Sequence, residues 1–206
     1  MSSREEALQQ IVREISQCRA CDLAYGRTHT VPGEGPADAR LMFIGEGPGF
    51  HEDRQGRPFV GAAGKLLEEL LASIGLRREE VYITNVIKCR PPGNRDPYPE
   101  ELEACRPFLD RQIEIIRPRV IVTLGRFSMA RYFPDASITR IHGQAKRFGG
   151  TWVIPVFHPA AALHQPRYRP DLEEDFRKIA ELLEKAAELA DEPPPVEGRP
   201  QQLSLF

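Results

Sequence analysis

Short apolar runs alternate along this chain with longer segments in which apolar residues recur every three or four positions. The continuous runs predict four buried strands, over residues 41–44, 81–86, 120–124 and 152–157. The helical spacing predicts helices over residues 5–17, 64–74, 99–116, 127–132 and 170–189. Because strands and helices alternate, we predict an α/β fold in which a mostly parallel, four-stranded sheet carries helices on both faces.

Polar or glycine-rich residues follow three of the four predicted strands. GEGPG at 45–49 follows the first strand, Asn85 ends the second, and His158 with Pro159 follows the fourth. Ligands of open α/β sheets bind beyond the carboxyl ends of the strands. We therefore expect one binding site at this edge of the sheet.

The bulk composition is that of an ordinary globular protein. Of 206 residues, 41% are hydrophobic and 28% are charged, which suits one domain with a sizeable core over residues 1–190. No apolar run approaches the ~18 residues that span a bilayer. The polar start, MSSREEALQQ, lacks the apolar core of a signal peptide. We expect a cytoplasmic monomer that does not associate with membranes.

The last residues differ in composition from the rest. Residues 191–201 (DEPPPVEGRPQ) are rich in proline and predict a flexible, extended linker. The chain then turns apolar again, in Gln202, Leu203, Ser204, Leu205 and Phe206. Such a peptide either binds a partner or docks back onto its own domain.

Charge is close to balanced, with a formal net charge of −2. The chain after Ile87 is nevertheless locally basic, and a basic face binds phosphates even when the total charge is near zero. Scattered, solvated surface residues explain the same charges equally well. The basic residues concerned are Lys88, Arg90, Arg95, Arg140, Lys146, Arg147, Arg167 and Arg169.

The cysteines are the strongest chemical signal. Cys18 and Cys21 form a C-x-x-C pair, and the fold must bring Cys89 and Cys105 to them. From the spacing, tetrahedral zinc and an iron–sulfur cluster are equally supported. Two disulfides or a thioredoxin-like pair fit less well, because no secretory signal precedes the cysteines and no strand precedes Cys18. Four unrelated buried cysteines are the simplest alternative, against which the C-x-x-C pair argues.

Several motifs, in order, resemble the family 4 (type 4) uracil-DNA glycosylases. They are GEGPG at 45–49, GRPFVGAAG at 56–64, TNVIKCRPPGNRDP at 84–97 and HPAAAL at 158–163. The resemblance covers about residues 15–185 and implies a three-layer α/β/α domain that excises uracil from single- or double-stranded DNA. It also implies that Cys18, Cys21, Cys89 and Cys105 bind a [4Fe–4S] cluster.

The resemblance implies roles for two residues at the strand ends. His158 would donate a hydrogen bond to uracil O2 as a neutral imidazole, unless it merely caps the turn at Pro159. Asn85 would read the base, because its amide accepts from N3–H and donates to O4, whereas cytosine presents the reverse pattern. Asparagine also serves turns after strands, which is the simpler role.

Three further residues complete the predicted site. Phe59 would stack on the flipped base, or be an ordinary core residue. The backbone of Glu46 and Gly47 would approach the base closely. The Glu46 carboxylate would organise water or favour the sugar cation, with Glu52 and Asp53 as alternatives and a solvated loop carboxylate as the simplest reading.

The chain departs from the family pattern at two places. Gly47 stands where the family usually has alanine, and residues 164–167 (HQPR) follow HPAAAL where Arg-Asn-Pro is common. The second change leaves the insertion of this loop into DNA open. Residues 202–206 (QLSLF) resemble the peptide that binds the bacterial sliding clamp. A protein that captures uracil-DNA without turnover, and an iron–sulfur or zinc module on a similar sheet, remain alternatives.

Overall fold

The computed structural model describes residues 2–191, without the side chains of residues 189–191. The strands are β1 (Leu41–Gly45), β2 (Tyr82–Asn85), β3 (Val120–Leu124), β4 (Lys146–Phe148) and β5 (Thr151–Val156). The helices are α1 (Ser3–Gln17), α2 (Leu23–Gly26), α3 (Phe50–Gln55), α4 (Ala62–Ser73), α5 (Pro99–Ile116), α6 (Arg126–Ala130), α7 (Ile138–Ile141), α8 (Pro159–His164) and α9 (Arg169–Asp191). Short 3₁₀ turns cover Arg78–Glu80, Pro92–Asn94 and Pro166–Tyr168.

The described strands form one sheet in the order β2-β1-β3-β5-β4. The four predicted strands are confirmed and pair in parallel. The prediction of four strands missed β4, which pairs antiparallel with β5 at the sheet edge. Phe148 pairs with Thr151 across Gly149 and Gly150, a two-residue hairpin turn that glycine favours. With three residues, β4 is too short for a periodic signal.

Helices cover both faces of the sheet, as predicted. Leu41 and Phe43 of β1 face one buried cluster with α4 and α9, while Met42 and Ile44 face another with α1 and α5. Successive strand residues point to opposite faces, so a strand buried on both faces reads as a continuous apolar run. The three-layer α/β/α fold follows from this pattern.

The predicted helix bounds agree best where the amphipathic pattern is long. The bounds of α5 match the prediction, and α1, α4 and α9 differ from it by a few residues. Helix α9 includes Asp191, where the linker was predicted to begin. Helices α2, α3, α7 and α8 were not predicted, because one or two turns carry too little periodicity. Residues 192–206, with most of the linker and the whole apolar peptide, lie outside the described residues.

No helix within residues 2–191 is both long enough and apolar enough to cross a membrane.

Candidate active site

A cleft of about 740 Å³ opens at the carboxyl edge of the sheet. The chain leaves β1 towards β2 on one side and later returns to β3 on the other, so the cleft lies where the strand order reverses. Each parallel strand contributes to its lining. The contributing residues are Glu46 and Gly47 after β1, Asn85 at the end of β2, Arg126 after β3 and His158 after β5. Phe59, from the loop before α4, completes the predicted set.

Asn85 presents an unpaired acceptor to this cleft. Its side chain is 1% exposed, and its Oδ1 has no hydrogen-bond partner among the described residues. A buried polar atom without a partner costs about 1–3 kcal/mol, so it calls for a ligand donor. Gly45 makes room for the amide, since a Cβ there would lie 2.4 Å from Asn85 Oδ1 and 2.7 Å from Phe59 Cζ.

His158 is held as one tautomer. The backbone N–H of Ala160 donates to His158 Nδ1 at 3.1 Å, so Nδ1 carries no proton and the neutral ring is protonated at Nε2. Burial lowers the pKa of His158 to about 4, so the ring is uncharged at neutral pH. The simpler reading was a capping role, and His158 does cap α8. The cap and a donor at Nε2 use different ring atoms and are compatible.

Phe59 lies against His158 with a strained backbone. The two rings stack with centroids 5.5 Å apart, and Phe59 has φ +50°, in the left-handed region. Three contacts hold this conformation. Arg78 Nη1 donates to the main-chain oxygen of Phe59 at 2.8 Å, and Glu52 Oε1 accepts from Val60 and Gly61 at 2.9 Å. A Cβ on Gly64 would lie 1.9 Å from that same main-chain oxygen.

The two alternatives to Glu46 are engaged in the scaffold. The second oxygen of Glu52 accepts from the backbone of Gly49 at 3.1 Å, so this carboxylate joins the loops on either side of α3. Asp53 is buried and accepts from the backbone of Thr28 at 2.8 Å. Asp53 therefore does not line the cleft, whereas Glu52 does, with both oxygens already bonded to backbone N–H groups.

Glu46 lies partly buried beside a charged pair. Burial raises the pKa of Glu46, the negative charge of Asp96 raises it further, and Arg126 lowers it. Asp96 and Arg126 form an ion pair with each other. Burial thus has the largest effect on the pKa of Glu46, and these two neighbours modify it in opposite directions.

Sequence reasoning missed Asp96, Arg126 and Arg78. Arg126 follows the third strand after one glycine, so the strand-end pattern that indicated Asn85 and His158 was available for it too. Asp96 lies within the motif at 84–97, but that motif alone assigns it no role. Arg78 reaches the site through tertiary contacts, and nothing in its local sequence marks it.

The arrangement fits a flat heterocycle with an N–H between two carbonyl groups. Asn85 offers an unpaired acceptor with its amide donors, His158 offers an N–H donor, and the Phe59 ring offers an apolar face. An imide edge satisfies the orphaned oxygen of Asn85, while a ring with the reverse donor pattern leaves it unpaired. When ionised, Glu46 supplies negative potential to the cleft.

The four cysteines come together at a second site. Cys18 and Cys21 follow α1, Cys89 lies after β2 and Cys105 lies on α5, and all line one small cavity. Arg27 donates to Cys89 Sγ at 3.1 Å and to the main-chain oxygen of Cys18 at 2.9 Å. The backbone N–H of Lys88 donates to Cys105 Sγ at 3.3 Å. The cavity thus lies where the N-terminal segment, the segment after β2 and α5 meet.

This donor set is one that metal centres use. Four cysteine sulfurs around one cavity suit a four-iron cluster, in which each thiolate binds a different iron atom, and tetrahedral zinc also accepts four thiolates. Within residues 2–191, no group of three or more candidate ligands is arranged to hold a metal ion. Hydrogen-bond donors to two of the sulfurs suit an anionic cluster.

The predicted basic face is only partly formed. Lys88 is 1% exposed, so its assignment to a basic surface was wrong. Arg95 is bonded to Glu101 at 2.6 Å and lies 3.7 Å from the centroid of the Tyr98 ring. Arg90 lies over the half-exposed ring of Phe50, 5.2 Å from its centroid. Arg90 and Arg95 flank the cleft, where cations and exposed aromatic rings suit a nucleic-acid strand.

Comparison with known proteins gives consistent matches. Residues 32–184 match the profile of the Uracil DNA glycosylase superfamily. The type-4 uracil-DNA glycosylase of Archaeoglobus fulgidus is 54% identical over 189 residues, 87% of this chain and 95% of the relative. Those of Sulfurisphaera tokodaii and Thermotoga maritima are 50% and 48% identical, over 86% and 90% of this chain and 85% and 99% of the relatives.

Proposed function

The chain belongs to the uracil-DNA glycosylase superfamily, and we propose that it flips uracil out of DNA and hydrolyses the bond between uracil and deoxyribose. The reaction releases free uracil and leaves an abasic site for repair. The observation that carries this proposal is the orphaned Oδ1 of Asn85, buried in a cleft of about 740 Å³. A duplex buries the scissile bond, so the enzyme must extrude the nucleotide before the base can enter the cleft.

Asn85 supplies the recognition. Its Oδ1 accepts from uracil N3–H, and its NH₂ group donates to O4. Cytosine carries an acceptor at N3 and an amino group at C4, so it would leave Asn85 Oδ1 and its own amino group without partners. Leaving such groups unpaired costs about 1–3 kcal/mol each, which rejects cytosine.

His158 supports departure of the base. When the bond between N1 and C1′ breaks, the electron pair stays on uracil and the charge spreads over N1 and O2. The Nε2–H of His158 donates to O2, where this charge develops, so it stabilises the transition state more than the ground state. A neutral donor suffices, in keeping with the low pKa of His158. The Phe59 ring holds the base flat during the reaction.

Glu46 acts on the sugar side. As the base leaves, C1′ gains positive charge, which a carboxylate stabilises. A water then adds to C1′ and gives up a proton, and the ionised Glu46 orients this water and accepts the proton. The nearby Asp96 and Arg126 adjust how readily Glu46 ionises.

The four cysteines hold a [4Fe–4S] cluster in this proposal. Supporting it are the shared cavity and the hydrogen bonds to Cys89 and Cys105. Hydrolysis transfers no electrons, so the bound cluster supplies structure. Its four ligands fasten α1 and α5 to the segment after β2 that lines the cleft.

DNA and the sliding clamp are the proposed partners. Arg90, Arg95 and the exposed rings of Phe50 and Tyr98 suit contacts with phosphates and bases beside the flipped nucleotide. Residues 202–206 carry the proposed clamp contact through Gln202, Leu203, Ser204, Leu205 and Phe206. A tethered clamp peptide would deliver the enzyme to newly replicated DNA.

The test is a multiple-turnover assay with iron-loaded protein and an oligonucleotide that contains one uracil. We expect more free uracil than enzyme, and none from the matched oligonucleotide with cytosine at the same position. A protein that binds the uracil oligonucleotide but releases at most one equivalent would be a capture protein, which would refute the enzymatic proposal.

A further inference from the structure

The buried side chain of Lys88 lies between the two sites. Lys88 is 1% exposed, and its Nζ donates to Thr84 Oγ1 at 2.6 Å, to the main-chain oxygen of Asn85 at 2.8 Å and to Gln112 Oε1 at 2.8 Å. Among the described residues, none of its hydrogen bonds or ion pairs reaches a carboxylate. Burial of a lysine without a charged partner is costly, so its position calls for an explanation.

The neighbouring hydrogen bonds show how the Lys88 side chain is held. Thr84 Oγ1 donates its proton to the main-chain oxygen of Pro32 at 2.8 Å, closer than its 3.5 Å alternative at Gln112. Gln112 donates through Nε2 to the same Pro32 oxygen and to the Tyr82 hydroxyl. Thr84 Oγ1, Gln112 Oε1 and the Asn85 carbonyl are therefore left as acceptors for the Lys88 Nζ.

Lys88 also belongs to the wall of the cysteine cavity. It lines this cavity, precedes Cys89 in sequence, and donates its backbone N–H to Cys105 Sγ. Lys88 therefore contacts both sites: its backbone N–H bonds to a cysteine of the cavity, and its Nζ bonds to the main chain of the residue that carries the unpaired amide oxygen.

We propose that Lys88 is a positioning residue that couples the cysteine-bound cluster to the base-reading amide of Asn85. A cluster bound by Cys89 and Cys105 would fix the backbone of Lys88, and the Nζ of Lys88 fixes the main chain of Asn85 at the end of β2. This inference rests on the proposed function, with Asn85 as the reader of uracil. Coupling between two sites is reciprocal, so uracil in the cleft must in turn stabilise the cluster.

The test measures cluster loss in the iron-loaded protein. A chelator is added, and the decay of the cluster's visible absorbance is followed with and without saturating free uracil. We expect uracil to slow the decay in the wild type by roughly 5–150-fold, the range for typical coupling energies. In Lys88→Met, which keeps most of the length of the side chain and removes its N–H groups, this protection should fall to less than about twofold, well below the range for typical coupling energies, and kcat for uracil release should fall more than KM rises.

Two further variants keep the test decisive. Tyr82→Phe removes a hydroxyl from the same network without touching Lys88 or Asn85, and should keep the protection. Thr84→Val keeps the lysine and removes one of its acceptors. It should lose part of the protection, and it replaces Lys88→Met if that variant does not accumulate as folded, iron-loaded protein. Uracil-dependent thermal stabilisation, measured in parallel, should persist in each variant.

Two outcomes would overturn the inference. One is a wild type whose cluster decays at the same rate with and without uracil. The other is a Lys88→Met variant with full protection of the cluster by uracil and unchanged kcat. If Thr84→Val is used in place of Lys88→Met, full protection in Thr84→Val is the contradicting result. If the proposed function itself fails, the iron-loaded wild type will not release uracil from the oligonucleotide, which is a separate result.

Discussion

At the scale of single residues, the proposed function depends on two polar groups that are already placed for a ligand before it binds, the ring of His158 and the amide of Asn85. Nδ1 of His158 is occupied by the backbone of α8, which commits Nε2 to donation. Asn85 keeps Oδ1 unpaired in the cleft. When donors and acceptors are already oriented, little free energy is needed to reorganise them as the transition state forms.

Replacing Asn85 by alanine should therefore affect recognition first. The variant loses the acceptor for N3–H and the donor to O4, and we expect single-turnover uracil release to fall roughly 10–1000-fold, from two lost hydrogen bonds. Asn85→Asp keeps the size but not the donor, so it should lose a similar factor and discriminate less against cytosine. Unchanged rate and selectivity in both variants would show that Asn85 does not read the base.

The pH dependence tests Glu46. If the reaction needs its carboxylate, activity is present above the raised pKa and is lost as the pH falls through it. Asp96→Asn removes the charge that raises this pKa, so the acid limb should move to lower pH. Arg126→Gln removes the charge that lowers it, so the limb should move to higher pH. Single-turnover rates at saturating protein provide the measurement, and two limbs that stay at the wild-type position would exclude Glu46 from this role.

At the scale of elements, the glycine that ends β1 leaves room for the cleft residues Asn85 and Phe59. Gly45→Ala would press its Cβ against Asn85 Oδ1 and the Phe59 ring. We expect a stability cost of about 1–3 kcal/mol and at least a tenfold loss of uracil release. The control is Gly150→Ala at the hairpin turn, where nothing lies within 4 Å. Denaturant unfolding and a single-turnover assay compare the two, and equal activity would contradict the packing argument.

The elements also show how far the sequence could be interpreted. The buried parallel strands and the long α5 were predictable, because burial on both faces or on one helical stripe leaves a pattern over many residues. Strand β4 and helix α3 were not, because three to six residues leave almost none. The glycine pair at 149–150 was the available signal for the hairpin that contains β4.

The candidate site was predictable where its residues follow strands. Asn85 and His158 lie directly at strand ends, so a parallel sheet brings them to one edge. Lys88 and Arg78 could not be assigned, since a lysine or arginine in sequence gives no sign of being buried in a network. Both are held by partners distant in sequence, such as Gln112 and Glu34.

At the scale of the whole molecule, the described domain and the apolar C-terminal peptide have separable proposed tasks. Deleting residues 202–206 should abolish binding to the bacterial sliding clamp and leave uracil release from short oligonucleotides unchanged, because the residues that we assign to the reaction all lie between positions 46 and 158. Surface plasmon resonance with immobilised clamp measures the first effect. Ser204→Ala is the matched control for Leu203→Ala with Phe206→Ala, and undiminished clamp binding by the deletion would refute the peptide's role.

The most direct measurement of the central claim is a crystal structure of the iron-loaded protein soaked with free uracil. We expect uracil in the cleft between residues 45–49 and 158–163, with N3–H on Asn85 Oδ1, O2 on His158 Nε2 and its face on Phe59. An occupied uracil elsewhere on the protein, with this cleft empty, would contradict the account.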